Sequence, residues 1–209
     1  MRLMNDKEFR MKRLKELVRE FLVIIGEDPE REGLRETPER VARMWINELT
    51  VGYHESPEVH VKKFHIENSG ESDEIVVVRH VPVRSICEHH LLPFFGEANI
   101  AYIPRHEVLG FSKFARIINI YSKRLQLQER LTNQIANALM EILQPKGLIV
   151  MINATHTCAL IRGVEEPLYM TTYSDRGVFR KDHALTKKAL ALFSSEDVPI
   201  KPTPQSHTY

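Results

Sequence analysis

The chain has 209 residues, and its 29 Lys and Arg against 28 Asp and Glu leave a net charge of +1. That balance argues against a general nucleic-acid binder, which carries a marked basic excess, and no stretch approaches the ~20 consecutive apolar residues of a membrane span. Hydrophobic content of 43% and charged content of 27% describe an ordinary globular chain. The apolar run Phe21 to Ile25 is too short for a signal-peptide core, and two cysteines give no sign of an oxidising compartment. The expectation is a cytoplasmic protein with neither nucleic-acid nor membrane partners.

Residues 5–25 predict an amphipathic helix, with Leu14, Leu17, Val18, Phe21, Leu22 and Ile25 at helical spacing among charges and Gly26 to end it. After a charged turn, Thr37-Pro38-Glu39-Arg40 opens a second helix, Thr37 placed to cap and Pro38 suited to the first helical position. Its apolar face is Val41, Met44, Trp45 and Leu49; Arg40, taken alone, reads as a surface charge. Residues 1–53 thus form an N-terminal helical region. Residues 54–73 are a polar connector with a short candidate strand at 61–66.

Ile75 to Ile86 and Gly96 to Ile103 read as two strands of a hairpin whose long loop is 87–95; Pro82 inside the first marks an edge or a bulge. A third helix starts at Gly110-Phe111-Ser112-Lys113 and runs to about Tyr121, Ser112 a candidate cap, Lys113 and Arg116 sharing a face near its start. A helix N-terminus with a hydroxyl and two cations suits an anion. Gln126 to Gln144 forms a fourth helix, with Gln128 and Glu129 in its first turn, where the helix dipole alone would favour a carboxylate. Gly147 to Thr155, Cys158 to Arg162 and Leu168 to Ser174 read as further strands, and Asp182 to Phe193 as a terminal helix. The proline-bearing tail 194–209 predicts loose order. Strands come in adjacent pairs between helix pairs, so residues 54–193 predict an α+β domain with an antiparallel four-stranded sheet and helices on one face.

Chemistry concentrates at Cys87-Glu88-His89-His90 and at His156-Thr157-Cys158. Cys87 and His90, three apart, face one way in a tight turn, and a thiolate with an imidazole favours zinc. Cys158 is the third candidate ligand; three protein ligands plus water is the pattern of a catalytic rather than a structural zinc.

Longer blocks carry more information than this spacing. Cys-Glu-His-His-Leu-Leu-Pro-Phe, Gly-Phe-Ser-Lys-Phe-Ala-Arg, Gln-Leu-Gln-Glu-Arg-Leu-Thr, His-x-Cys followed by Arg-Gly-Val, and the upstream Thr37-Pro38-Glu39-Arg40-Val41-Ala42, resemble GTP cyclohydrolase I in order and spacing over roughly residues 5–193. Phe111 and Leu127 stand where the commonest form has other apolar residues, and Tyr169 to Tyr173 departs from its usual Thr/Ser-rich strand. The resemblance implies a tunnelling fold, assembly as a decamer of two pentamers with sites between subunits, and conversion of GTP and water to 7,8-dihydroneopterin triphosphate and formate at the head of pterin and tetrahydrofolate synthesis. It implies Zn2+ on Cys87, His90 and Cys158, proton transfer by His89 and His156, guanine recognition by Glu129 with Gln128 beside it, and triphosphate contacts from Arg40, Ser112, Lys113, Arg116 and Arg162. A nucleoside deaminase would need a Cys-x-x-Cys that this chain lacks. A non-catalytic or sister tunnelling-fold pterin-binding protein with a structural zinc is the alternative; chelation would unfold it, yet would leave a catalytic assembly folded and inactive.

Overall fold

The computed structural model describes residues 7–60, 62–65 and 74–196, with the main chain only at 59 and 60. Parts of three expectations lie outside these residues: the start of the first helix, residues 61 and 66–73 of the 54–73 connector with both ends of its candidate strand, and the tail beyond residue 196.

Four long strands form the antiparallel sheet that the alternating Val- and Ile-rich segments predict: β2 (Val76–Cys87), β3 (Pro93–Ile103), β6 (Gly147–His156) and β7 (Tyr169–Gly177), in the order β2-β3-β6-β7. The expected count of four is short by one. Leu125–Gln126 (β5) adds a fifth strand, parallel to the end of β2 and opposite Ile86 and Cys87; two residues carry no periodicity from which to read it. A separate small sheet pairs β1 (Lys63–His65) with β4 (Glu107–Leu109).

Side-chain alternation assigns the two faces. Val83, Phe94, Ala98, Ile100, Tyr102, Leu148, Val150 and Ile152 point one way, burying against Phe114, Ile117 and Ile118 of α3 (Phe111–Ser122) and Leu131, Ile135 and Leu139 of α4 (Gln128–Leu143). Ala101, Ile103 and Ile149 point the other way and meet Phe179 and α6 (His183–Phe193). Helices on one face therefore describes α3 and α4 but not α6, which shields an apolar end of the opposite face. The N-terminal helices α1 (Lys7–Ile24) and α2 (Thr37–Met44) pack on each other, and a π-helical turn, Trp45–Leu49, continues α2.

Local details depart from the sequence expectations for identifiable reasons. The hairpin loop is 88–92 rather than 87–95, because Pro93, Phe94 and Phe95 already pair with Ile86, Ser85 and Arg84. The bulge that Pro82 suggested lies just before it, where the register slips between Val78 and Val81 and His80 takes a φ of 54°. Neither Thr37 nor Ser112 caps its helix; Glu36 and Gly110 occupy those positions without a side-chain bond. Asp182 does cap α6, accepting from the Leu185 N–H at 2.9 Å. Cys158 to Arg162 is not a strand. Thr157–Leu160 forms the short helical turn α5, since β6 meets its last partners at Thr155 and His156 and no strand continues beside it. The Thr157 hydroxyl donates to the Pro93 carbonyl at 2.6 Å, tying that turn to β3. Among the described residues no helix is long and apolar enough to cross a membrane.

Candidate active site

Two neighbouring strand ends deliver the reactive groups. Cys87 is the last residue of β2, buried at 5% exposure, and the turn after it is closed by Leu91 N–H to the Cys87 carbonyl and Cys87 N–H to the Leu92 carbonyl, both 2.9 Å. Leu91 takes a φ of 56° to make this turn, which is costly for a γ-branched residue and so implies that the surrounding bonds over-determine it. The turn brings His90 back over Cys87, and α5 presents Cys158 from β6. The two sulfurs and a ring nitrogen of His90 lie within 4.8 Å of one another. Tetrahedral zinc, with bonds of ~2.3 Å to sulfur and ~2.0–2.1 Å to nitrogen, spaces its ligands roughly 3.5–3.8 Å apart, so these atoms need close by about 1 Å at most. Among the described residues no other trio of potential ligands is so close. Burial pushes the Cys158 thiol pKa up and the facing Cys87 pushes it further, with Arg162 opposing. A thiol held protonated in this way beside a second sulfur is what a divalent cation would stabilise as a thiolate.

His156 ends β6 beside this trio. Its ring stacks on Phe94, centroids 4.6 Å apart and 7° from parallel, and its Nε2 lies 2.9 Å from Gln128 Oε1. Burial lowers the His156 pKa, with the Glu129 carboxylate opposing, so the neutral ring is favoured. His89 is exposed and meets the His90 ring edge-on at 6.3 Å. Cys87, His89, Gln128, Glu129, His156 and Cys158 all line one cavity of about 630 Å3, with Leu168 to Thr171 opposite. Glu129 is exposed there in the first turn of α4.

Gln128 departs from expectation. It is 1% exposed, and its amide is spent inside the protein: Nε2 reaches the Ile152 carbonyl (3.0 Å), the Met170 carbonyl (2.9 Å) and Thr172 Oγ1 (3.2 Å), and Oε1 faces His156. Its side-chain amide is thus committed to internal partners, although the residue lines the cavity beside Glu129.

A profile described as GTP cyclohydrolase I matches residues 14–194. The chain belongs to the GTP cyclohydrolase I family. Relatives named GTP cyclohydrolase 1 include one from Carboxydothermus hydrogenoformans, 47% identical over 92% of this chain and 97% of the relative. Another, from Caldanaerobacter subterraneus subsp. tengcongensis, is 48% identical over 92% of this chain and all of its own length (100%). A third, from Deinococcus radiodurans, is 48% identical over 81% of this chain and 77% of the relative. Among solved structures an archaeosine synthase QueF-like protein aligns with a TM-score of 0.44 at 19% identity, over 51% of this chain and 97% of that one, a likeness too partial to bear on fold or function.

The five phosphate residues expected from the family do not join this cavity; none lines it. Arg162 is near enough for its charge to act on Cys158. Arg40 lies exposed on α2, paired with Glu36 at 2.5 Å. Ser112 and Lys113 open α3 at its far end, and Arg116 lies midway along it. Phe114 there packs on Tyr102, which pairs with Val76, whereas the last turn of α3 reaches the Cys87 end, where Ser85 Oγ donates to the Ser122 carbonyl at 2.7 Å. The ten-residue rise from Ser112 to Ser122 is about 15 Å.

The structure also adds residues that local sequence did not single out. Glu88 ion-pairs with Arg130, whose Nε donates to Gln126 Oε1 at 3.0 Å, and the Glu88 N–H donates to the Gln126 carbonyl at 3.1 Å. These bonds pin the ligand turn to α4. Phe94, Thr132 and Thr172 back the histidine and the glutamine. Arg130 and Glu88 are far apart in sequence, so no spacing could signal their pairing.

Proposed function

We propose that this enzyme converts GTP and water to 7,8-dihydroneopterin triphosphate and formate, using zinc held by Cys87, His90 and Cys158, in the cytoplasm and at the entry to pterin and tetrahydrofolate synthesis. The observation that carries the reading is one cavity, in a GTP cyclohydrolase I family chain, lined by Cys87, Cys158, His89, His156 and Glu129, with a ring nitrogen of His90 within 4.8 Å of both sulfurs. Zinc bound there would supply the Lewis acidity that makes water a competent nucleophile near neutral pH.

The chain's own groups account for the rest. Glu129 can accept from guanine N1–H and the adjacent exocyclic amine, whereas adenine would leave that carboxylate unpaired. With the Gln128 side chain committed elsewhere, the helix start offers the base its unpaired main-chain N–H groups. Opening the five-membered ring at C8 requires a proton on a ring nitrogen, and His89, which lines the cavity, would donate it. His156, favoured as neutral, is suited to accept and return protons as C8 leaves as formate.

The triphosphate must find its cations elsewhere. Ser112 and Lys113 open α3, Arg116 lies midway along it, and none of the three lines the cavity that holds Glu129. This separation supports a site completed by a neighbouring subunit in a homo-oligomer, a decamer of paired pentamers, with Arg40 and Arg162 as further phosphate contacts. The test is zinc-loaded protein with GTP, scoring formate and, after oxidation, a fluorescent pterin. Zinc-replete, assembled protein that leaves GTP intact would overturn the reading.

A further inference from the structure

The Gln128 amide is oriented by acceptors that it cannot exchange. Its Nε2 meets two main-chain carbonyl oxygens, Ile152 on β6 and Met170 on β7, at 3.0 and 2.9 Å, with Thr172 Oγ1 at 3.2 Å. A flipped amide would set oxygen against oxygen at both carbonyls and lose those bonds in a 1% exposed position. The sense of the amide is thus set by the sheet, and Oε1 is the atom left for His156 Nε2 at 2.9 Å. Oε1 can only accept, so the histidine nitrogen must carry hydrogen.

The support is itself braced. Thr132 Oγ1 donates to the Gln128 carbonyl at 2.8 Å and lies 2.6 Å from Thr172 Oγ1, all within the buried seam between α4 and β7. Phe94, fully buried, stacks on the imidazole and sets its plane. Ring plane and hydrogen position are therefore determined by groups other than the substrate.

We propose that Gln128 is the positioning residue that holds His156 in its Nε2–H tautomer, making Nδ1 the ring atom that exchanges protons in the reaction. This deepens the proposed function and rests on it for the catalytic consequence, while the tautomer itself is independent of turnover. Gln128 keeps its link to base recognition only indirectly, as the residue preceding Glu129. The arrangement gives one short peptide, Gln128-Glu129, two separate duties: one side chain turned inward to hold the histidine, the next turned outward to the substrate.

Two measurements test it. The first uses zinc-loaded wild-type assembly labelled with 15N-histidine, its solid-state spectrum compared with that of His156→Gln to identify the His156 signals at alkaline pH. The inference expects protonated Nε2 and unprotonated Nδ1; the reverse pattern overturns it whether or not the protein turns over GTP. The second is Gln128→Met, similar in length but without the acceptor. It is expected to retain zinc and a KM for GTP within about twofold of wild type while losing about 10–100-fold in kcat, the scale of a lost supporting bond to an active-site histidine. Unchanged kcat, or a raised KM with kcat preserved as a base contact would produce, overturns the inference. Should Gln128→Met fail to assemble, the tautomer spectrum still decides. Wild-type protein that fails to release formate would instead overturn the functional reading and leave the tautomer result standing.

Discussion

Replacing Cys158 by serine is the sharpest perturbation of the proposed metal centre, because its two sulfurs are unequal in structural burden. Cys87 is 5% exposed, lies in the main core cluster and closes the 88–92 turn through its main chain. A change there would disturb folding and metal binding together. Cys158 is only partly buried, on the short turn α5, which Thr157 ties to Pro93 irrespective of residue 158. Structural zinc sites bind with about 10–16 kcal/mol shared over four ligands, or roughly 2.5–4 kcal/mol per ligand. Losing one of three should then weaken zinc by about 10²–10³-fold. A one-atom change at this partly buried position, which borders the core without lying inside it, should change stability by no more than about 1 kcal/mol, so metal-free Cys158→Ser and metal-free wild type should melt within ~4 °C. Zinc content after dialysis, GTP turnover and melting temperature are the assays. Expected are depleted zinc, lost formate release and an unchanged metal-free melting point. Full turnover by zinc-free Cys158→Ser would refute the metal reasoning, and a collapsed metal-free melting point would show that the residue serves the fold.

His89→Ala is expected to keep zinc, because His89 lies outside the ligand trio, yet to lose about 10²–10⁴-fold in kcat, the usual worth of a general acid; turnover near wild type would remove it from that role. Glu129→Ala should erode discrimination between GTP and ATP by up to about 10⁴-fold, and an unchanged preference in competition assays would reassign base recognition. At alkaline pH, burial first and then the charge and hydrogen bond of Asp175 hold the Tyr173 phenol pushed up to about 12. A group whose folded pKa is raised favours the folded state below its unfolded value near 10 and loses that contribution as pH climbs towards 12. Burial also raises Tyr102 and Tyr121, so tyrosinate absorbance should show a late component that Tyr173→Phe reduces by one tyrosine and of which Asp175→Asn moves one tyrosine's share to lower pH; a late component undiminished in Tyr173→Phe would reject the assignment.

Much of the molecule is written in local pattern. Runs rich in Val and Ile marked β2 and β6, and three-and-four spacing marked α3 and α4, because each signal depends on residues within a few positions of one another. Boundaries were less legible where partners decide them. Pro93 to Phe95 became strand because β2 pairs with them, and Cys158 to Arg162 did not because β6 has no neighbour there. The ligand trio was foreseeable from residue chemistry. That its two sulfurs share a cavity with Glu129, while Ser112, Lys113 and Arg116 line none of it, was not.

Sequence by itself therefore determined the family, the α+β class and the kinds of atoms available: two sulfurs, clustered imidazoles and a carboxylate at a helix start. Only the tertiary structure decided what each polar side chain does with its hydrogen bonds. Gln128 and Glu129 are chain neighbours with similar side chains, yet one is locked between β6, β7 and His156 and the other opens to the cavity. The reason is geometric: successive helix residues point about 100° apart, and which direction meets a sheet and which meets a cavity is set by how the helix packs.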